Sequence, residues 1–195
     1  MPGTIGVLTG GGDCPGLNAA IRAVVRAGTA GGYIVQGVRN GWQGLIDNDC
    51  VPLPQDSIAD IIARGGTMLG TSRTDPLGDP DNLLKIRRTM LETRMEALIV
   101  IGGNGTLSAA HELAEQGIPL VCIPKTIDND VAGTDRSFGF DTAVAIVTQA
   151  IDRLRTTAES HHRIMVVETM GRDAGWIALF AGLAGGADRI LIPEV

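Results

Sequence analysis

Residues able to move a proton or hold a phosphate are concentrated in three short stretches. The most telling is Pro124-Lys125-Thr126-Ile127-Asp128-Asn129-Asp130. Carboxylates at i and i+2 share one side of an extended segment. Asp128 or Asp130 can then take a proton from a hydroxyl while the other orients that group or meets a metal. Lys125 is one of only two lysines in the chain, and it stands beside those carboxylates. The other two stretches are rich in glycine, Thr9-Gly10-Gly11-Gly12-Asp13-Cys14-Pro15-Gly16 and Ile101-Gly102-Gly103-Asn104-Gly105-Thr106. Glycine lets a backbone approach a phosphate closely, and a helix that follows offers free N–H groups and the positive end of its dipole. Two such turns can hold a polyphosphate between them. Neither has the dinucleotide GxGxxG spacing, and the absence of any Gly-Lys pair excludes the Walker A loop.

The elements that must position these stretches alternate along the chain. Strands are expected at Ile5–Thr9, Tyr33–Val38, Ala97–Ile101, Leu120–Pro124, Ile164–Glu168 and Ile190–Pro193, each apolar on both faces. Helices are expected at Gly16–Gly28, Asp56–Arg64, Asp81–Arg94, Thr106–Gln116, Thr142–Ser160 and Ala174–Leu183. Asp56 and Asp81 are placed as N-caps, and Gly117 as the residue just past a helix end. In the longest helix Ala143, Val147, Ala150 and Leu154 form one apolar stripe. The alternation predicts a doubly wound, mostly parallel α/β sheet with helices on both faces and right-handed crossovers. In such sheets ligands sit beyond the carboxyl ends of the strands, where all three stretches fall.

Composition narrows the function classes. The 195 residues include 27 glycines, and aromatics make up only 3%, so Val, Ile, Leu and Ala must build the core. A net charge of −6 argues against a nucleic-acid partner, which needs a clustered basic surface. No run approaches the ~20 apolar residues of a membrane span, and no basic region precedes the first apolar stretch. Cys14, Cys50 and Cys122 are odd in number and far apart, as expected in a reducing cytosol.

Taken together, GGGDCPGLNAAIR (residues 10–22), RGGTMLGTSR (64–73), GGNGT (102–106), PKTIDND (124–130), GFDTA (139–143), AIDRLRTTAESH (150–161) and Met170-Gly171-Arg172 resemble the N-terminal half of the phosphofructokinase family. Lipid and NAD kinases with a comparable glycine turn lack PKTIDND and the Met170-Gly171-Arg172 motif. The resemblance implies a cytosolic glycolytic enzyme that moves phosphoryl from ATP, with Mg²⁺, onto the 1-hydroxyl of fructose 6-phosphate. A pyrophosphate-dependent enzyme, or a nucleotide-binding module without turnover, is the alternative. By that resemblance Gly12 and Gly103, Asn104, Gly105 and Thr106 hold the donor's phosphates, with Lys125 nearby. Arg73 neutralises charge as phosphoryl moves, and Trp42 lies near adenine. Asp128 is the general base, with Thr126 and Asp130 beside it. Met170, Gly171 and Arg172 hold the sugar phosphate, and Arg163 reaches it from a neighbouring subunit of a dimer or tetramer. Residues 1–195 then form one nucleotide-binding domain, and the family's second, sugar-phosphate domain is missing after Val195.

Several positions depart from the family pattern or qualify it. Asn104 replaces the usual acidic Mg²⁺ ligand, and an amide is a weaker partner for a hard cation. Gly105 resembles ATP users, whereas pyrophosphate users tend to carry Asp there. Arg22, Arg26 and Glu194 resemble part of an allosteric effector site, but Asp56 stands where an aromatic is expected. Cys14, near a helix start, reads as a small packing residue, and His161 and His162 read as structural.

Overall fold

The protein, described by a computed structural model over residues 2–195, divides into two compact units, the first ending at Lys125 and the second running from Thr126 to Val195. In the first unit β1 (Thr4–Thr9) leads through α1 (Leu17–Ala30) into β2 (Ile34–Val38). A short helix, α2 (Trp42–Asp47), and β3 (Cys50–Pro52) follow. Then come α3 (Asn82–Glu92), β4 (Met95–Gly102), α4 (Asn104–Glu115) and β5 (Leu120–Thr126).

The strand order is β3-β2-β1-β4-β5. All pairings among β2, β1, β4 and β5 are parallel, and only the edge pair β2–β3 is antiparallel. From β1 the chain winds outward to β2, and from β4 it winds outward the opposite way to β5. Right-handed crossovers in opposite directions place α1 and α4 on opposite faces of the sheet. The order reverses between β1 and β4, which pair from Ile5↔Ala97 to Thr9↔Ile101. A doubly wound sheet opens its ligand crevice at such a reversal.

The helices hold their faces by close apolar contact. Leu8, Trp42, Leu45, Ile86, Leu98, Val100 and Leu113 belong to one buried cluster. On α1, Ile21 and Val25 are fully buried. Gly28 lets α1 lie against the sheet, because a β-carbon there would sit 2.8 Å from Val35 Cγ2. Gly117 ends α4 as expected, in the left-handed region at φ 83°, with its N–H on the Ala114 carbonyl at 2.8 Å.

Several expected elements differ. In place of a helix over Asp56–Arg64 there is a single 3-10 turn, Gln55–Ile58. Ile58 and Ile61 are buried while Ile62 is exposed. Ile61 lies beyond the end of that turn, so the segment buries two separate isoleucines and forms no continuous helical stripe. Asp81 flanks α3 without a side-chain cap bond. The helix α2, the edge strand β3 and the two-residue strand β6 (Phe138–Gly139) were not expected.

In the second unit β6 leads into α5 (Phe140–His161), and α6 (Trp176–Ala184) follows. Phe140 meets Phe180 edge-on at 5.5 Å. The expected stripe on α5 is only half-buried, and its Ala150 is exposed. Residues 164–168 and 190–193 are not strands: Ile164 is 94% exposed and Leu191 90%, with no ladder partner among the described residues. Among the described residues no helix is long and apolar enough to cross a membrane.

Candidate functional site

At the reversal point of the first unit, the ends of β1 and β4 are tied together, the Gly10 N–H donating to the Ile101 carbonyl at 2.9 Å. Thr106, in the first turn of α4, fills the space between the two glycine turns. A β-carbon on Gly10 would lie 2.6 Å from Thr106 Cγ2, and one on Gly102 would lie 2.5 Å from it. Those two glycines are therefore set by packing. Gly11 adopts φ 79°, a conformation that disfavours any β-carbon. A β-carbon there would lie 3.6 Å from Thr106 Oγ1 and 3.9 Å from Lys125 Nζ. Gly12 and Gly105 face open space. At these two positions the missing side chain leaves room rather than relieving a contact.

Lys125 closes this arrangement from the end of β5. It is 4% exposed, and its ammonium donates to the Gly12 carbonyl at 2.5 Å. A buried ammonium carries three donors, here next to the glycine turn of residues 10–12. A second segment leans on the same turn: the Gly11 N–H donates to the Ser72 carbonyl at 3.2 Å, and the Thr71 hydroxyl donates to the Gly11 carbonyl at 2.5 Å. Arg73, next in the chain, is exposed. The geometry thus assembles Gly11, Gly12, Thr106, Lys125 and the residues before Arg73 around one strand-end turn. Asn104 and Gly105 open α4 as exposed first-turn residues, with Gly103 as its extended N-cap.

Cys14, buried beside this turn, has its thiol pushed up from 9.0 to about 11, mainly by desolvation, against a lowering influence of Lys125. It is a packing residue and not a thiolate, although a helix follows.

Trp42 is not part of this arrangement. It is 2% exposed in the core cluster with Leu8, Val38 and Ile86, so no ring face is free for an adenine. An aromatic just after the Asn40-Gly41 turn resembles a stacking platform by position, but α2 directs it inward.

Mg²⁺ can be tested against the donor set. Among the described residues no three His, Cys, Asp or Glu side chains come together. The expected ligand, Asn104, is an amide at the positive end of the α4 dipole. Among the described residues no all-protein cage for Mg²⁺ is therefore present, and an ion held by one or two side chains would rely on the donor's phosphates for its remaining ligands.

In the second unit the Asp128 loop is closed on itself by a residue that the sequence reading passed over. Asn129 adopts φ 54°. Its side-chain oxygen accepts from the Ser137 N–H at 2.8 Å and lies 3.2 Å from the Ser137 hydroxyl oxygen, and its amide donates to the Asp135 carbonyl at 3.2 Å. The Ser137 hydroxyl also reaches the Thr126 carbonyl at 2.6 Å, and the Asp128 N–H donates to Thr126 Oγ1 at 3.1 Å. Asp128 is half-buried and Asp130 exposed. The αL tolerance of Asn in the middle of Asp-Asn-Asp was the available sequence signal.

A separate cleft of about 190 Å³ in this unit is lined by Met170, Gly171 and Arg172 with Glu168, Leu191 and Pro193. Gly171, at φ 149°, is buried, and a β-carbon there would overlap the Ala174 carbonyl. Arg163, exposed just past α5, does not line this cleft. Glu194, expected at an effector site, instead accepts from the Gly175 N–H at 2.7 Å, at the start of α6.

Known proteins similar to this chain are phosphofructokinases. The family model described as Phosphofructokinase matches residues 4–195. The pyrophosphate–fructose 6-phosphate 1-phosphotransferase of Amycolatopsis methanolica is 60% identical over 191 residues, covering 97% of this chain and 56% of the relative. The ATP-dependent 6-phosphofructokinase of Mycobacterium bovis is 57% identical over 192 residues, with the same coverage of 97% and 56%. This chain therefore spans about half the length of the curated relatives it matches. The phosphofructokinase structure from Saccharomyces cerevisiae superposes with a TM-score of 0.88 at 35% identity, covering 98% of this chain and 29% of that one. With its motifs, its strand order and a family match over nearly its whole length, the chain belongs to the phosphofructokinase family.

Proposed function

We propose that this chain carries the phosphoryl-donor site and the hydroxyl-activating loop of a cytosolic 6-phosphofructokinase. The observation that supports this most is the buried Lys125 ammonium bonded to the Gly12 carbonyl, in a turn shared with Gly11 and Thr106. Phosphoryl transfer asks for positioning and for positive charge around the moving group. Gly12, the turn from Gly103 to Thr106, and Lys125 hold the donor's phosphates, and Arg73 balances charge on the moving oxygens. Asp128, held by the Thr126–Asn129–Ser137 bonds, accepts the proton from the 1-hydroxyl of fructose 6-phosphate. Met170, Gly171 and Arg172 bind the sugar's phosphate, Asp130 orients the sugar, and Arg163 serves a neighbouring subunit in an oligomer.

ATP is the donor we propose. Gly105 resembles ATP users, and the open space around it leaves room at the start of α4 for a donor longer than pyrophosphate. Pyrophosphate is the second reading. It is favoured by the names of several close relatives and by the burial of Trp42, which withdraws the expected adenine platform. Calorimetric titration of the chain with ATP, ADP and pyrophosphate separates the two. A preference of at least tenfold for ATP supports the first reading, and the reverse preference supports the second. Binding of none of them tells against a donor site in this chain.

A further inference from the structure

Most of segment 64–73 is exposed or half-buried, Arg64, Gly65 and Arg73 being exposed, and Leu69 is its one buried side chain. Nevertheless two buried side chains on either side of the glycine turn are committed to it. Thr9, fully buried at the end of β1, bonds Thr67 Oγ1 at 2.9 Å and the Gly70 carbonyl at 2.8 Å. Because a carbonyl only accepts, the Thr9 proton goes to Gly70 and Thr67 donates to Thr9. Thr67 Oγ1 in turn accepts from the Leu69 N–H at 3.2 Å. Asn18, 2% exposed on α1, donates to the Arg64 and Gly65 carbonyls at 3.0 and 3.2 Å and accepts from the Met68 N–H at 2.7 Å. Beyond Gly70 the chain is bridged to Gly11 in both directions through Thr71 and Ser72. Arg73 comes next.

We infer that Thr9 and Asn18 are positioning residues that act through Arg73. They lock segment 64–72 onto the glycine turn, so that the guanidinium stands at the donor phosphates before any ligand arrives. Fixing a long side chain's backbone in advance removes ordering that binding would otherwise have to supply. The inference rests on the donor reading of Arg73 given above.

The test is a double-mutant cycle on the chain, read by calorimetric titration with pyrophosphate and with ATP. Thr9→Val keeps the shape of the side chain and deletes the hydroxyl, and Thr9→Ser restores the hydroxyl. Thr9→Val is expected to weaken binding about tenfold, the scale of one buried hydrogen bond. Thr9→Ser should recover affinity to within about twofold. In an Arg73→Ala background Thr9→Val should change affinity less than about twofold, since its effect runs through the missing guanidinium. An equal loss in both backgrounds overturns the inference, because Thr9 then acts on the fold at large. If the parent chain binds neither anion, the donor reading has failed and amide hydrogen exchange of the ligand-free protein decides instead. Exchange at least ~10-fold faster across residues 70–73 in Thr9→Val, with β4 unchanged, upholds the positioning of the segment. Equal exchange in the two proteins overturns it.

Discussion

Replacing Asn129 should unlatch the loop that carries Asp128, and the size of the effect can be worked from its contacts. Two bonds leave that side chain: one is accepted from the N–H of Ser137, which is 5% exposed, and one is donated to the Asp135 carbonyl. Asn129→Ala strands the buried Ser137 N–H, which costs about 1–3 kcal/mol, and gives up about 0.5 kcal/mol for the more exposed bond. Alanine at φ 54° adds roughly 1 kcal/mol, which glycine does not incur. The expected losses are therefore about 2.5–4.5 kcal/mol for Asn129→Ala and about 1.5–3.5 kcal/mol for Asn129→Gly. Asn129→Asp keeps the bond accepted from the Ser137 N–H and should lose only about 0.5–1 kcal/mol. Urea unfolding with an unchanged m-value measures all three. If alanine proves as stable as glycine, the left-handed backbone is not what asparagine supplies. Losses below about 1 kcal/mol in both would mean that the Ser137 latch does not hold the loop.

Other consequences are simpler to check. Gly10→Ala drives a β-carbon to 2.6 Å from Thr106, and the chain should lose about 1–3 kcal/mol of stability by overpacking, together with donor affinity, in paired melting and titration measurements. Gly105→Asp meets nothing within 4 Å, so stability should stay within about 0.5 kcal/mol while donor preference moves toward pyrophosphate. The Cys14 and Cys50 thiols are both raised by burial from 9.0 to about 11. The unfolded chain releases these protons first, so the stability that the neutral thiols contribute is present below pH ~9 and lost as pH rises toward ~11. Chemical-denaturation midpoints of the parent should fall more steeply across that window than those of the Cys14→Ala/Cys50→Ala chain. An identical slope in both would refute the thiol assignment.

Much of the first unit could be read from the sequence because its signals are local. The apolar run of β1, the Gly102–Thr106 turn and the Gly117 stop each fix their own element, and the β-α alternation gives the winding. Segments whose conformation depends on a partner were read less well. Residues 164–168 and 190–193 have strand composition, but a strand forms only beside another strand, and both stay exposed without a ladder in this chain. The 55–62 stretch carries apolar residues at spacings that fit an α-helix and a 3-10 turn alike, and of its isoleucines only Ile58 falls within the turn that forms. At the candidate site the two glycine turns and the Asp128 loop stood out. The bonds that hold them did not, because Thr9 reaches Gly70 and Asn18 reaches Met68 across 61 and 50 residues of sequence. Trp42 shows the opposite failure: a position that resembles a stacking site in the family is filled here by a core residue.

The most direct test of phosphoryl transfer to a sugar hydroxyl is the Asp128→Asn substitution, made in a polypeptide extended to the relatives' full length. Turnover with fructose 6-phosphate and the preferred donor is followed in a coupled assay, and donor affinity is measured alongside by titration. Loss of the proton acceptor should lower kcat by at least ~10²-fold while donor Kd stays within about threefold, because the donor turn lies in the other unit. Turnover within threefold of the parent would show that Asp128 is not the base and would contradict the assignment of this loop.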